Sequence, residues 1–179
     1  MDNRFHGQMT VKAAETLLGY YGKKGCDVLY DHSSTKENVG RIVSWFGDKY
    51  GRDAELSQLD IAIVEKGSDK VLALLEIEEA DDAPQTLMGD LLAVFLGDHI
   101  IFRGERNLSV GDYTTLIVLG KSKAMHRKRN DYLREEGMKI KSTLSTGNSG
   151  IGNIVIETFA DEKGLYALLS LVLDRVIKS

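Results

Sequence analysis

"LDIAIVEKGSDKVLALLEIEEADDAPQ", residues 59–85, decides how the chain is read. It contains two apolar runs with the composition of sheet-core strands, and both carry acids: Asp60 in the first, Glu76 and Glu78 in the second. Gly67, Ser68 and Asp69 between them have turn composition, so the stretch predicts an antiparallel hairpin. Strands that are apolar at nearly every position are covered on both sides, and a carboxylate there needs a compensating partner. Side chains alternate along a strand, so Glu76 and Glu78 share a face, as do Asp60, Ala62 and Val64. The turn decides whether the two sets meet. A three-residue loop, or an equivalent bulge, sets Asp60 opposite Glu76; a two-residue loop would face Asp60 with Leu75 and part the acids. The odd loop or bulge is the expected pairing.

Carboxylates gathered on one patch repel by about 4 kcal/mol per pair at about 4 Å and an effective dielectric of about 20. They must take up protons, meet basic side chains or bind a cation. Mg²⁺ is the economical solution, because it takes one or two carboxylates and leaves its other positions for waters and phosphate oxygens. Alternation alone would also produce acids as polar teeth on a solvent-facing sheet. Against that, Ala62, Val64, Leu72 and Leu74 share the acids' face.

Outward from the hairpin, the elements alternate. Residues 9–24 place Val11, Ala14, Leu17, Leu18 and Tyr21 at helical spacing, with Gly25 as the stop. "DVLYD" (27–31) reads as a short strand. Residues 33–51 read as a second helix, capped by Ser34 or Thr35, with Val39, Ile42, Val43 and Phe46 on one face. Pro84 suits a first helical turn, so 84–98 predicts a helix with Leu87, Leu91, Leu92 and Phe95 inward. Strands follow at 99–104 and 113–120, then a helix from Lys121 to about Glu136, a strand at 152–159 and a last helix at 161–177. For 138–145, helix continuation and strand both remain open, and 146–152 is a loop. This order predicts an α/β fold: a mixed central sheet with helices on both faces.

At 179 residues with 42% hydrophobic composition, the chain suits a single domain with a real core. A net charge of only −4 advertises neither nucleic acid nor membrane, so any basic surface must be local. The single cysteine, Cys26, excludes an internal disulfide and fits a reducing, cytoplasmic setting. No stretch has the length of a membrane span or the apolar core of a signal peptide. His6, His32, His99 and His126 lack ligand spacing, and "LGKS" (119–122) has Thr115 where a phosphate-binding loop needs glycine. "GNSGIG" (147–152) precedes a strand instead of following one, which argues against a dinucleotide fingerprint.

Asp60 on one hairpin strand, Glu76-Ile77-Glu78 on the next and the order of elements around them resemble the PD-(D/E)xK nuclease superfamily, over a core of about residues 35–159 with helical additions at both ends. The resemblance implies a restriction-endonuclease-like fold and a Mg²⁺- or Mn²⁺-dependent DNA endonuclease acting as a homodimer, with Asp60 and Glu76 as main metal ligands and Glu78 as ligand or general base. Leu59 replaces the family's proline. Glu78 replaces its lysine, giving the E-x-E form that some type II restriction endonucleases share. That loses a positive charge near the transition state, so a second cation or another side chain must supply it, and Lys121 is the candidate. Loss of activity is the competing reading: the same fold kept as a nucleic-acid-binding or assembly module. An unrelated α/β protein binding a small ligand is a third.

Glu37 and Glu15 are candidates for the glutamate that the family often places on the preceding helix. The resemblance also singles out Gln85 from its Q-x-x-x-Y motif, although Gly89 stands where the tyrosine would. Residues 121–141 hold eight of the chain's 23 Lys and Arg against three acids. Lys123, Arg127, Lys128, Arg129 and Arg134 are the candidate DNA contacts there, with Arg127, Arg134 and Lys141 forming a stripe if the helix runs that far.

Overall fold

A computed structural model describes residues 8–31, 36–47, 50–81, 84–121, 127–143 and 150–176. In chain order the elements are α1 (Gln8–Tyr21), β1 (Cys26–Tyr30), β2 (Ile42–Trp45), β3 (Glu55–Leu59), β4 (Ile61–Glu65), β5 (Val71–Asp81), α2 (Pro84–Leu96), β6 (His99–Phe102), β7 (Arg106–Leu108), β8 (Thr115–Lys121), α3 (Arg127–Thr143), β9 (Asn153–Phe159) and α4 (Glu162–Val176). A tight 3-10 turn extends α1 to Lys24, and Gly25 then reverses the chain at φ 79°, in the left-handed region where a side chain is strained.

The strands form two sheets. The larger is mixed, in the order β1-β4-β5-β8-β9: β1, β4 and β5 pair antiparallel, while β5, β8 and β9 run parallel. Parallel neighbours need crossovers, and α2 and α3 lie in the two connections. The smaller sheet is antiparallel, in the order β3-β2-β6-β7.

Alternation along the central strands separates two cores. Ile61, Ile63, Ala73, Leu75, Ile117 and Leu119 face α1 and α4, where Ala14, Leu17, Tyr21, Leu165, Leu169 and Leu173 meet them. Ala62, Val64, Leu74, Leu116, Val118, Ile154 and Ile156 face the other way, toward Leu87, Leu91 and Phe95 of α2 and Leu133 of α3. The smaller sheet adds Ile42, Leu59, Ile100 and Leu108 to this second core. The molecule is thus an α/β fold, its mixed sheet covered by helices on both faces. Among the described residues, no helix is long and apolar enough to cross a membrane.

The helix expected over 33–51 is replaced by β2, with residues 32–35 and 48–49 outside the described set. Ile42, Val43, Ser44 and Trp45 are all buried because β2 is covered on both faces. Ile42 and Ser44 face α2, where the Ser44 hydroxyl donates to the Ala93 carbonyl, while Val43 and Trp45 form a small outer cluster with Ile101. A continuous buried run satisfies helical spacing by accident, and Phe46, expected inward, is 46% exposed. The first hairpin run also divides. Its start belongs to β3 in the smaller sheet, and its remainder is β4 in the larger one.

Candidate active site

Asp60 occupies the single position between β3 and β4, where the chain leaves one sheet and enters the other. A bulge fixes what it faces. Val64 pairs with Val71 but Ile63 pairs with Ala73, leaving Leu72 unmatched, and from there Ile61 pairs with Leu75. One step further puts Asp60 beside Glu76.

The two acids hold each other's strand. The Asp60 backbone N–H donates to Glu76 Oε2 at 3.2 Å, and the Ile77 N–H donates to Asp60 Oδ2 at 2.7 Å. Both residues keep some surface, yet their carboxyl groups lie deep. Burial pushes Asp60 up to about 7, helped by the negative charges of Glu79 and Asp31 and opposed by the Ile77 N–H and the Thr10 hydroxyl. Glu76 is raised well above the carboxylate range by burial first, then by Asp60, Asp90 and Glu78. Among the described residues, neither Asp60 nor Glu76 forms an ion pair with a basic side chain.

Glu78, two residues along β5, shares the face of Glu76 and lies beside Gly120 of β8. Its charge, after burial, raises Asp90 of α2 to about 6. The acids thus continue from the hairpin toward α2, but they do not close into one cage. Among the described residues, no group of three or more His, Cys, Asp or Glu could hold a metal ion. The pair that the structure brings together is Asp60 with Glu76. Two carboxylates fit what Mg²⁺ asks of a protein, its other positions going to water and phosphate.

The accessory candidates lie elsewhere or do other work. Glu37 is exposed in a turn, since the helix expected to carry it is absent. Glu15 is an exposed α1 residue, 3.9 Å from the Lys36 ammonium. Gln85 is exposed in the first turn of α2. Lys121 ends β8 in step with Ile117 and Leu119, on the face opposite Glu76 and Glu78, which leaves it badly placed to replace the missing lysine.

Of the basic candidates, Lys123 lies outside the described residues, as do the side chains of Arg127 and Lys128. Arg129 is half-buried, and Arg134 is tied to Asp131 at 2.8 Å. The helix does reach Thr143, so the stripe ending at Lys141 lies on one element; there the Lys141 ammonium donates to the Gly152 carbonyl at 3.3 Å.

Three residues at the site were missed by the sequence reading. Asp90 sits between buried Leu87 and Leu91 on the rim of an apolar helix face, and an acid at that position was its signal. Glu79 accepts the N–H groups of Met9 and Thr10, at 3.0 and 3.2 Å, capping the positive end of α1. That brings the buried Thr10 hydroxyl to Asp60, an arrangement without local sequence signal. No protein-family model, no curated protein and no solved structure matches the chain.

Proposed function

We propose that the chain is a Mg²⁺- or Mn²⁺-dependent deoxyribonuclease that hydrolyses phosphodiester bonds, with Asp60 and Glu76 holding the ion. One observation carries this reading: Asp60 at the sheet junction and Glu76 on β5 each accept a backbone N–H from the other's segment, their carboxyl groups lying deep with no basic side chain neutralising them among the described residues. When bound, such an ion lowers the pKa of a water and stabilises charge on the phosphate. The chain's own groups do the rest. Glu78, on the same face, takes the proton of the water whose oxygen bonds to phosphorus as the ester P–O bond breaks, and the leaving oxygen takes a proton from solvent. The cations of α3 contact the DNA backbone. A homodimer and a cytoplasmic location belong to the same reading.

A second reading is favoured by the missing lysine. Lys121 faces away from Glu76 and Glu78, so the fold also suits a non-catalytic DNA-binding or assembly module. Calorimetric titration with Mn²⁺ and cleavage of duplex, branched and single-stranded DNA separate the two. Mn²⁺ binding abolished by Glu76→Ala, together with cleavage abolished by Asp60→Ala, supports the nuclease. Salt-dependent DNA binding with neither Mn²⁺ binding nor cleavage supports the module.

A further inference from the structure

Asp60 lacks what orients its partner. Glu76 sits within β5, between β4 and β8, so the pleat of the sheet sets the direction its side chain takes. Asp60 stands between β3 and β4, outside both strands. What holds its carboxyl is a pair of donors from distant parts of the chain: the Ile77 N–H, 2.7 Å from Oδ2, and the Thr10 hydroxyl. A carboxylate offers about four lone-pair sites, and its terminal torsion is otherwise broad. Fixed donors on part of that set stop the group from turning and present the remaining lone pairs in one direction.

Thr10 breaks the pattern of its helix. The buried side of α1 is Thr10, Ala13, Ala14, Leu17 and Tyr21, and core packing alone would accept a valine at the first of these. Thr10 is 2% exposed, so its hydroxyl is buried and spent inside the protein. Glu79 fixes where it lies. Alternation along β5 sends Glu79 to the side of Ile77, where α1 packs, and Glu79 Oε1 accepts the Met9 and Thr10 N–H groups at 3.0 and 3.2 Å. One strand thus carries Glu76 and Glu78 on one face and, on the other, the acid that tethers the first turn of α1.

We infer that Thr10 is a positioning residue for the divalent ion: its hydroxyl locks the Asp60 carboxyl in the orientation that meets the ion together with Glu76, and Glu79 locks Thr10 in turn by tethering α1. The inference rests on the metal-binding reading of Asp60 and Glu76. Hydrogen-bond partners of a metal ligand change affinity for the ion by about 10–100-fold when they are removed.

The test is calorimetric titration of the full chain with Mn²⁺ at one fixed pH. Thr10→Val keeps the branched shape without the hydroxyl and raises the dissociation constant at least about tenfold, whereas Thr10→Ser keeps the donor and stays within about threefold of the parent. Glu79→Ala, which frees the first turn of α1, weakens binding more than Glu79→Gln, which loses the charge but keeps an oxygen for the N–H groups. A Thr10→Val variant within about threefold of the parent, or a Thr10→Ser variant as weak as Thr10→Val, overturns the inference while the metal reading stands. A parent chain that binds no Mn²⁺ overturns both. Should Thr10→Val fail to fold, the Glu79 variants decide: weaker binding by Glu79→Ala than by Glu79→Gln supports the inference, and equal binding overturns it.

Discussion

Asp60→Asn removes a charge and keeps an oxygen to accept the Ile77 N–H, so it isolates what ionisation at this position costs the fold. Below the ordinary value of 3.8, Asp60 is protonated both folded and unfolded and contributes nothing. Between 3.8 and about 7 the unfolded chain releases the proton while the folded one keeps it, so stability falls as pH rises. Each pH step in that window costs about 1.4 kcal/mol, giving on the order of 4 kcal/mol by pH 8. In chelator, therefore, Asp60→Asn and the parent unfold at similar urea concentrations near pH 3.5, and the variant is the more stable by about 2–4 kcal/mol at pH 8. Glu76 moves the gap in the same direction, since its own cost eases when its neighbour is neutral. Saturating Mn²⁺ at pH 8 narrows the gap, since the ion stabilises the ionised parent by about 2.7 kcal/mol at a hundredfold excess over its dissociation constant. A gap that is constant across pH, or a variant less stable than the parent at pH 8, refutes the account of the buried pair.

Four further outcomes are expected. Glu76→Ala leaves the buried Asp60 N–H without its acceptor and lowers stability by about 1–2 kcal/mol at pH 5, measured by chemical unfolding. Tyr21→Phe, by removing a buried hydroxyl with no partner, raises the melting temperature of the ligand-free protein, with a gain of up to about 1 kcal/mol. Leu75→Ala empties a fully buried position on β5 and costs about 2–5 kcal/mol by the same unfolding measurement. Gly152→Ala would set a Cβ 1.7 Å from the Asp112 carbonyl oxygen, and the shift this forces costs about 1–3 kcal/mol, read as a lower melting temperature.

The hairpin was legible in the sequence because acids embedded in apolar strands break the pattern, and the bulge at Leu72 is one of the two pairings that reasoning about the turn anticipated. The segment around β2 was misread for a physical reason. A strand covered on both faces is apolar without a period, and Val39, Ile42, Val43 and Phe46 then mimic a helix face. The smaller sheet followed into obscurity, since Leu59 and Ile61 look like one strand until β2 supplies a partner for β3. At the site, Asp60 and Glu76 could be paired by register alone. Asp90, Glu79 and Thr10 could not, because α1 and α2 reach them through tertiary packing. On α3 the positive charge was visible, and Asp131 three residues before Arg134 was the local clue that part of it is already neutralised.

Asp60 belongs to neither sheet; it is the rivet between them. The small sheet can therefore not tilt against the large one without dragging one carboxylate past the other, and the spacing of the pair registers the angle between two β-layers. Whatever clamps or loosens the outer layer reaches the acids directly, along a single residue of backbone.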